Sequence, residues 1–185
     1  MQPTSRVAVT VTFLRMDQRP TDPPRLLPAA TKLVTLASCP VPFYRRLYGE
    51  VGGPYLWWLR RSLSDAALEV ILRDPAVSIT VLYLREEPAG FFELDRRQGL
   101  VVNISYFGLL PAATGVGLGT AFLRAAIDEA LVGGVRAITV NTCTADHPRA
   151  LPGYLRAGFR PLRTVREIWD VPTRLGLSIP EHLRV

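Results

Sequence analysis

The chain has 185 residues, of which 48% are hydrophobic and 21% charged, so it can bury a core and does not have a disordered composition. No apolar run approaches the roughly 18 residues that a membrane-spanning helix needs. The net charge of +6 comes mostly from arginines that are scattered along the chain. This scatter favours a solvated surface over a nucleic-acid interface, and the positive charge attracts anionic ligands.

The first half of the chain predicts one strand and two helices. Residues 5–14 alternate polar and apolar side chains with a period of two, which is typical of a strand. The proline-rich segment RPTDPPRLLP that follows is expected to be a loop. Residues 42–51 predict a short helix that meets Gly52, and Ser64 is expected to cap a second helix that stops at Pro75.

The second half predicts three hairpin-connected strands and then a strand–helix–strand crossover. The expected strands cover residues 77–84, 89–95, 100–110 and 135–142. A buried helix over 117–132 links the last two, which are therefore expected to be parallel. A short helix near 148–157 and a final hairpin or strand complete one α/β domain over residues 1–185, with 1–4 and 17–40 partly irregular.

A glycine-rich loop joins the third of the hairpin strands to the buried helix. Its glycines stand at alternate positions in the segment LLPAATGVGLG, residues 109–119. Glycine permits positive φ angles and close backbone approach, and the unpaired amides at a helix start favour an anion. The alternative is a turn that only packs the strand against the helix. The segment lacks the Gly-Lys-Ser/Thr of a nucleoside-triphosphate loop, and its place after antiparallel strands is not that of a dinucleotide-binding loop.

This loop resembles the acetyl-CoA loop of the GNAT N-acetyltransferase superfamily, Gln/Arg-x-x-Gly-x-Gly/Ala. Gly117 and Gly119 match the two small residues, whereas Thr114 stands where the family has Gln or Arg. The resemblance implies that the chain binds acetyl-CoA (coenzyme A) as cosubstrate, with the loop backbone on the pyrophosphate and the strand end on the pantetheine arm. The residues expected to bind it are Leu109, Leu110, Thr114, Gly115, Val116, Gly117, Leu118, Gly119, Thr120 and His147.

A second segment is similar to a later motif of the same superfamily, Asn-x-x-Ala-x-x-x-Tyr-x-x-x-Gly-Phe. The residues that fit in register are Ala150, Tyr154, Gly158 and Phe159, and His147 replaces the usual Asn. The similarity covers most of residues 77–160. It implies a GNAT fold of the α/β class (mixed α+β). We expect a mostly antiparallel sheet of six to seven strands flanked by about four helices, with a splayed strand pair at the CoA site.

Two residues are candidates for catalysis. Tyr154 resembles the family tyrosine that protonates the CoA sulfur, and a phenol with a pKa of about 10 is protonated at neutral pH; the alternative is a tyrosine packed in its helix. Glu93 could serve as general base directly or through water, or it could be a carboxylate satisfied by arginine or backbone. Asn103 stands where one branch of the family has its base glutamate, and a period of two places Asn103, Ser105 and Phe107 on one strand face.

The resemblance places the acceptor between the early helices and the central strands. The aromatic residues expected there are Tyr44, Tyr48, Tyr55, Trp57 and Trp58, with Arg45 and Arg60 nearby. Aromatic walls could hold an aliphatic or aromatic amine and the arginines an acid group, although core packing explains most of these residues equally well.

The cysteine and histidine counts argue against a metal site and a disulfide framework. Cys143, Asp146 and His147 are close in sequence, but a structural zinc site takes about four ligands, and the chain has only two cysteines and two histidines. Cys39 and Cys143 are expected to be free thiols. The N-terminus lacks the continuous apolar core of a signal peptide, so we predict a cytoplasmic location.

These features predict an acetyl-CoA-dependent N-acetyltransferase (an acyltransferase of EC 2.3.1 type). It would move an acetyl group to a primary amine of a small molecule or protein by direct attack in a ternary complex. The alternative, motivated by Thr114 and Asn103, is a catalytically weak CoA-binding sensor or interaction module with the same fold. The expected partner is a small-molecule or peptide amine, with no nucleic acid, no membrane and no metal, and a homodimer is compatible with these observations.

Overall fold

This computed structural model describes residues 3–23 and 25–185. The described residues contain seven strands and five α-helices. The strands are β1 (Thr4–Met16), β2 (Thr31–Thr35), β3 (Val77–Leu84), β4 (Glu87–Gln98), β5 (Val101–Leu109), β6 (Ala137–Cys143) and β7 (Arg160–Pro172). The helices are α1 (Val41–Gly52), α2 (Leu59–Ser62), α3 (Asp65–Leu72), α4 (Gly119–Ala130) and α5 (Ala150–Arg156). None of these described helices is long and apolar enough to cross a membrane. Residues 1, 2 and 24, which belong to the predicted irregular N-terminus and proline-rich loop, lie outside the described residues.

All seven strands join one mixed sheet in the order β2-β3-β4-β5-β6-β1-β7. The hairpin partners β3, β4 and β5 are antiparallel, whereas β5 and β6 are parallel and are connected through α4. The seven strands, the single parallel pair among the described residues and the flanking helices confirm the predicted fold class.

The N-terminal strand β1 lies between β6 and β7, far from its neighbour in sequence. It pairs antiparallel with β6 from Val11 to Met16 and with β7 from Thr4 to Arg15. The chain then returns to the opposite edge of the sheet, where β2 pairs with β3. The sequence predicted β1 and β7 but not their pairing, and it missed β2, because such long-range partners leave no signal in a local period.

Side chains that alternate along the strands divide much of the core between the two faces of the sheet. Phe92 and Leu94 of β4 pack in one cluster with α4 and α5, whereas Phe91 packs with α1 and α3 in another. Each fully buried side chain of this size contributes about 1.5–3 kcal/mol. As predicted, Ser64 caps α3, and its hydroxyl accepts a hydrogen bond from the Ala67 amide.

Candidate functional site

The strands β5 and β6 separate at one end of the sheet and open a cleft. Their parallel pairing runs from Val101 and Ala137 to Ile104 and Val140 and then stops. At this point β5 carries a bulge, since Ser105 is an extra residue opposite the step from Glu93 to Leu94. A bulge bends its strand and increases the local twist, so the ends of β5 and β6 diverge. The cleft has a volume of about 1380 Å³.

The same bulge changes which β5 residues share a face. Asn103 lies opposite Asp95 and Tyr106 opposite Glu93, so these β5 residues face the α1 side of the sheet. Phe107 lies opposite Phe92 in the α4 cluster. The prediction that Asn103 and Phe107 share a face is therefore wrong, because the inserted Ser105 reverses the alternation.

The loop between β5 and α4 has the form of an anion cradle. Gly115 and Gly117 adopt φ angles of +85° and +87°, a region that L side chains rarely occupy. The Thr114 hydroxyl donates a hydrogen bond to the Leu110 carbonyl at 3.1 Å and ties the loop to the end of β5. Within residues 3–23 and 25–185, the backbone amides of residues 115–121 make no hydrogen bond. These amides lead into a twelve-residue helix, whose N-terminus carries partial positive charge.

Most residues predicted to bind the cosubstrate line this cleft. They are Leu109, Thr114, Gly115, Gly117, Gly119, Thr120 and His147. Val116 points to solvent, Leu118 is buried under α4, and Leu110 is also buried. The Leu110 amide donates to the Ala89 carbonyl, and its carbonyl accepts from the Ala113 amide, so the backbone of Leu110 is already used within the protein.

Five arginines that the sequence analysis did not assign to a ligand also line the cleft: Arg25, Arg97, Arg124, Arg149 and Arg156. Arg124 donates to the Asp22 carbonyl at 3.0 Å, which holds the connection between β1 and β2 against α4. The arginines are far apart in the sequence, so only the fold brings them to one cleft. Arg97 and Arg124 form ion pairs with Asp95 and Asp128, so the positive field that favours an anionic ligand comes from Arg25, Arg149 and Arg156.

Tyr154 of α5 presents its hydroxyl to the same cleft. The residue is 7% exposed, and its ring packs edge-on against Phe107 and Phe159. Burial, and next the charge of Asp146, raise the pKa of the Tyr154 phenol. Within the described residues the hydroxyl makes no hydrogen bond. The group is therefore a protonated donor with an open position toward the cleft.

His147 lines the same cleft. Its Nδ1 atom accepts a hydrogen bond from the Arg149 amide at 3.0 Å, just before α5 begins. The imidazole ring also contacts the edge of Tyr55, with ring centroids 5.9 Å apart. His147 therefore both binds a backbone amide at the start of α5 and lines the cleft.

Glu93 lies behind the cleft wall and does not line it. Its side chain is fully buried, accepts a hydrogen bond from the Tyr44 hydroxyl at 2.5 Å and pairs with Arg60 at 2.5 Å. Burial, followed by the charge of Glu93, raises the pKa of Tyr44. This arrangement corresponds to the alternative weighed for Glu93, a carboxylate satisfied by arginine.

An aromatic wall forms the other half of the cleft. The residues predicted for the acceptor that line it are Tyr48, Tyr55, Trp57, Trp58 and Arg60. Tyr106, which the sequence analysis missed, completes the wall: its ring centroid lies 4.8 Å from that of Tyr48, and the Arg60 guanidinium lies over it. Tyr44 and Arg45 do not line the cleft, because Tyr44 is buried with Glu93 and Arg45 pairs with Asp65.

The two cysteines are free thiols, as predicted. Burial raises the pKa of Cys39 to about 11 and that of Cys143 to about 12. Among the residues that the structure describes, no group of three or more histidine, cysteine, aspartate or glutamate side chains could hold a metal ion.

Comparison with known proteins gives a family and a set of structural neighbours. The model of the acetyltransferase (GNAT) family matches residues 39–159. A GCN5-related N-acetyltransferase from Kribbella flavida aligns with 90% of this chain at 16% identity and a TM-score of 0.60. A GCN5-related N-acetyltransferase from Sphaerobacter thermophilus aligns with 92% at 17% identity and a TM-score of 0.64. An aminoglycoside acetyltransferase from an uncultured soil metagenomic sample aligns with 70% of this chain and 88% of its own length, at 16% identity and a TM-score of 0.56.

The chain spans 60% of the length of the Kribbella protein and 53% of the Sphaerobacter protein. No curated protein matches the sequence. Structural similarity at such low sequence identity supports the fold alone. The family model matches well over half of the chain and therefore supports the family assignment. The chain belongs to the GNAT acetyltransferase family.

Proposed function

We propose that this protein is an acetyl-CoA-dependent N-acetyltransferase that acetylates a primary amine by direct attack in a ternary complex. The observation that carries the proposal is that one cleft is lined by the glycine loop on one side and by the aromatic wall on the other. Gly115, Gly117, Gly119 and Thr120, whose amides are unpaired among the described residues, line one wall, and Tyr154 lines the same cleft. We also propose that residues 1–185 act as one domain in the cytoplasm, where both thiols stay reduced.

The cosubstrate's pyrophosphate would lie on the backbone of the loop from Thr114 to Thr120. Gly115 and Gly117 fit this role because their positive φ angles turn the amides without side chains in the way. Among the predicted pantetheine contacts, Leu109 lines the cleft, whereas the Leu110 backbone is engaged by Ala89 and Ala113. We therefore assign the pantetheine arm to Leu109. When bound, acetyl-CoA supplies the acetyl group as a thioester.

Tyr154 would hold the proton that the departing sulfur receives. Its raised pKa keeps the phenol protonated across the usual assay range, as a general acid requires. Glu93 is not a direct base in this proposal, since its side chain is fully buried, does not line the cleft, and accepts hydrogen bonds from Tyr44 and Arg60. We propose that Glu93 positions Arg60 on the aromatic wall.

A second candidate function is CoA binding without efficient transfer. Thr114 stands where the family pattern has Gln or Arg, and Asn103 stands where one branch of the family has its base glutamate. The Asn103 amide is also engaged, because it accepts from Thr139 and donates to Ser105. The free hydroxyl of Tyr154 favours transfer, since a binding module has no need of a proton donor there.

The first experiment separates binding from chemistry. Acetyl-CoA at about 100 times its Kd should stabilise the native state by roughly 2.7 kcal/mol, which raises the Tm by several degrees. A Gly119→Glu variant should lose this shift, because a carboxylate would meet the phosphates at the helix start. Gly119→Ala is the matched control: a Cβ there meets only Leu109 Cδ1 at 3.9 Å, so the shift should persist.

Transfer itself is tested by release of free thiol from acetyl-CoA with a panel of primary amines. One structural neighbour is an aminoglycoside acetyltransferase whose complex with sisomicin is known, so aminoglycosides belong in the panel with simple alkyl and aryl amines. A Tm shift with no thiol release for any amine would favour the binding module. An equal shift in wild type and Gly119→Glu would remove the loop from the proposal.

A further inference from the structure

Asp146 is a carboxylate on the cleft wall that neither motif assigns. It follows β6 and precedes α5. One oxygen, Oδ2, accepts hydrogen bonds from the Thr142 hydroxyl and the Cys143 amide, both at 2.8 Å. The other, Oδ1, accepts a longer bond of 3.3 Å from Trp57 Nε1. Each carboxylate oxygen can accept two hydrogen bonds, so Oδ1 has a free position on the side of the aromatic wall.

No basic side chain within residues 3–23 and 25–185 forms an ion pair with Asp146. The arginines near the aromatic wall are matched by other carboxylates: Arg60 pairs with Glu93, and Arg97 pairs with Asp95. The charge of Asp146 therefore has no partner of its own in the cleft. An unmatched carboxylate there favours a cationic ligand.

Asp146 lines the same cleft as the proposed proton donor, Tyr154. Burial is the main reason that the pKa values of Tyr154 and Tyr55 are raised, and the negative charge of Asp146 is the second reason for both. Trp57 and Tyr55 line the cleft on the acceptor side, and Tyr154 lies on α5. Asp146 thus stands where the acceptor side meets the reacting centre.

We infer that Asp146 Oδ1 is the ammonium site of the acceptor, so that this protein selects amines that arrive as cations and takes their proton at Asp146. The inference rests on the proposed transferase function. A primary amine with a pKa near that of lysine, about 10.4, is an ammonium ion at neutral pH and must lose a proton before it attacks. A carboxylate with one free acceptor position can bind that ion and accept its proton.

The protons and electrons balance as follows. The bound ammonium gives one proton to Asp146 Oδ1, which returns it to solvent through the open cleft. The neutral nitrogen bonds to the acetyl carbon, the carbon–sulfur electron pair leaves with sulfur, and Tyr154 donates the proton to that sulfur. The second amine proton restores the Tyr154 phenol, so the net products are an amide, a thiol and one released proton.

The experiment measures binding of a cation against a neutral molecule of the same shape. Calorimetric titration of the CoA-loaded protein compares benzylammonium chloride with benzyl alcohol. Wild type should prefer the ammonium by about 10-fold or more, the scale of one charge-assisted hydrogen bond. Asp146→Asn keeps acceptor oxygen for Thr142 and Cys143 but removes the charge, so the preference should fall to within about threefold.

Asp65→Asn is the matched control, because it removes the same charge from a residue that lies outside the cleft. It should retain the ammonium preference. If Asp146→Asn does not fold, carbodiimide labelling of wild-type protein gives the answer by mass spectrometry: N,N-dimethylbenzylammonium, a cation whose tertiary nitrogen cannot form an amide with the activated carboxylate, should protect Asp146, and benzyl alcohol should not. No preference in wild type, a preference that survives Asp146→Asn, or no protection of Asp146 would each overturn the inference.

These outcomes are separable from failure of the proposed function. Thiol release with a panel amine, together with an unchanged ammonium preference in Asp146→Asn, would leave the transferase standing and remove Asp146 from it. Ammonium binding that depends on Asp146, without thiol release for any amine, would support the site and contradict the transferase.

Discussion

Replacing Glu93 distinguishes a structural ion pair from a catalytic base. Glu93→Gln keeps the size of the side chain and an acceptor for Tyr44, but it removes the charge that pairs with Arg60. Glu93 is fully buried and Arg60 is 16% exposed, so the arginine would be left charged and mostly out of water. The Arg60 Nε atom is also buried without a partner among the described residues, so no nearby acceptor is ready to replace the carboxylate.

The expected cost is large. Breaking a buried ion pair by removing one partner costs about 3–5 kcal/mol, and the partial exposure of Arg60 to the cleft places this case near 3 kcal/mol. For a chain of this length each kcal/mol lowers the Tm by roughly 2–4 °C, so Glu93→Gln should lose about 6–12 °C. Arg60→Met together with Glu93→Gln should recover part of the loss, because the double variant leaves no unpaired charge.

Urea denaturation and scanning calorimetry of the two single variants and the double variant measure this coupling. The CoA-induced shift should be retained in Glu93→Gln, because the cradle lies on another wall of the cleft. A Glu93→Gln variant with wild-type stability and a transfer rate reduced by 10²-fold or more would refute the reasoning and return Glu93 to the role of base.

Three further predictions test the site and the thiols. Tyr154→Phe should leave CoA affinity and Tm nearly unchanged but reduce the single-turnover rate by roughly 10²-fold, whereas a wild-type rate would make Tyr154 structural. Thr114→Arg should tighten CoA binding severalfold in titrations at low salt, because residue 114 has an extended backbone that accepts arginine, and unchanged affinity would count against a phosphate site there. Both thiols should react with Ellman's reagent in denatured, unreduced protein. Native Cys39 and Cys143 should react slowly at pH 8, because pKa values raised to about 11 and about 12 keep them neutral until the pH rises toward those values.

Much of the lining of the candidate site could be predicted from the sequence because the signals are local. The glycines of residues 115–119 lie within one loop, and Ala150, Tyr154 and Phe159 lie within one short helix and the turn that ends it. Their chemistry follows from backbone freedom and helix termini, which depend on neighbours in the chain. The same holds for Ser64, whose capping role needs only the three residues that follow it.

The tertiary structure decided which groups meet. The bulge at Ser105 reversed the alternation that a period of two implies, and so moved Phe107 to the face opposite Asn103. The pairing of Glu93 with Arg60 turned a candidate base into a buried ion pair. Asp146 accepts a hydrogen bond from Trp57 and raises the pKa of Tyr154 only because β6, α5 and the segment after α1 pack together. Sheet register and packing depend on contacts between distant parts of the chain, and a local pattern contains no record of them.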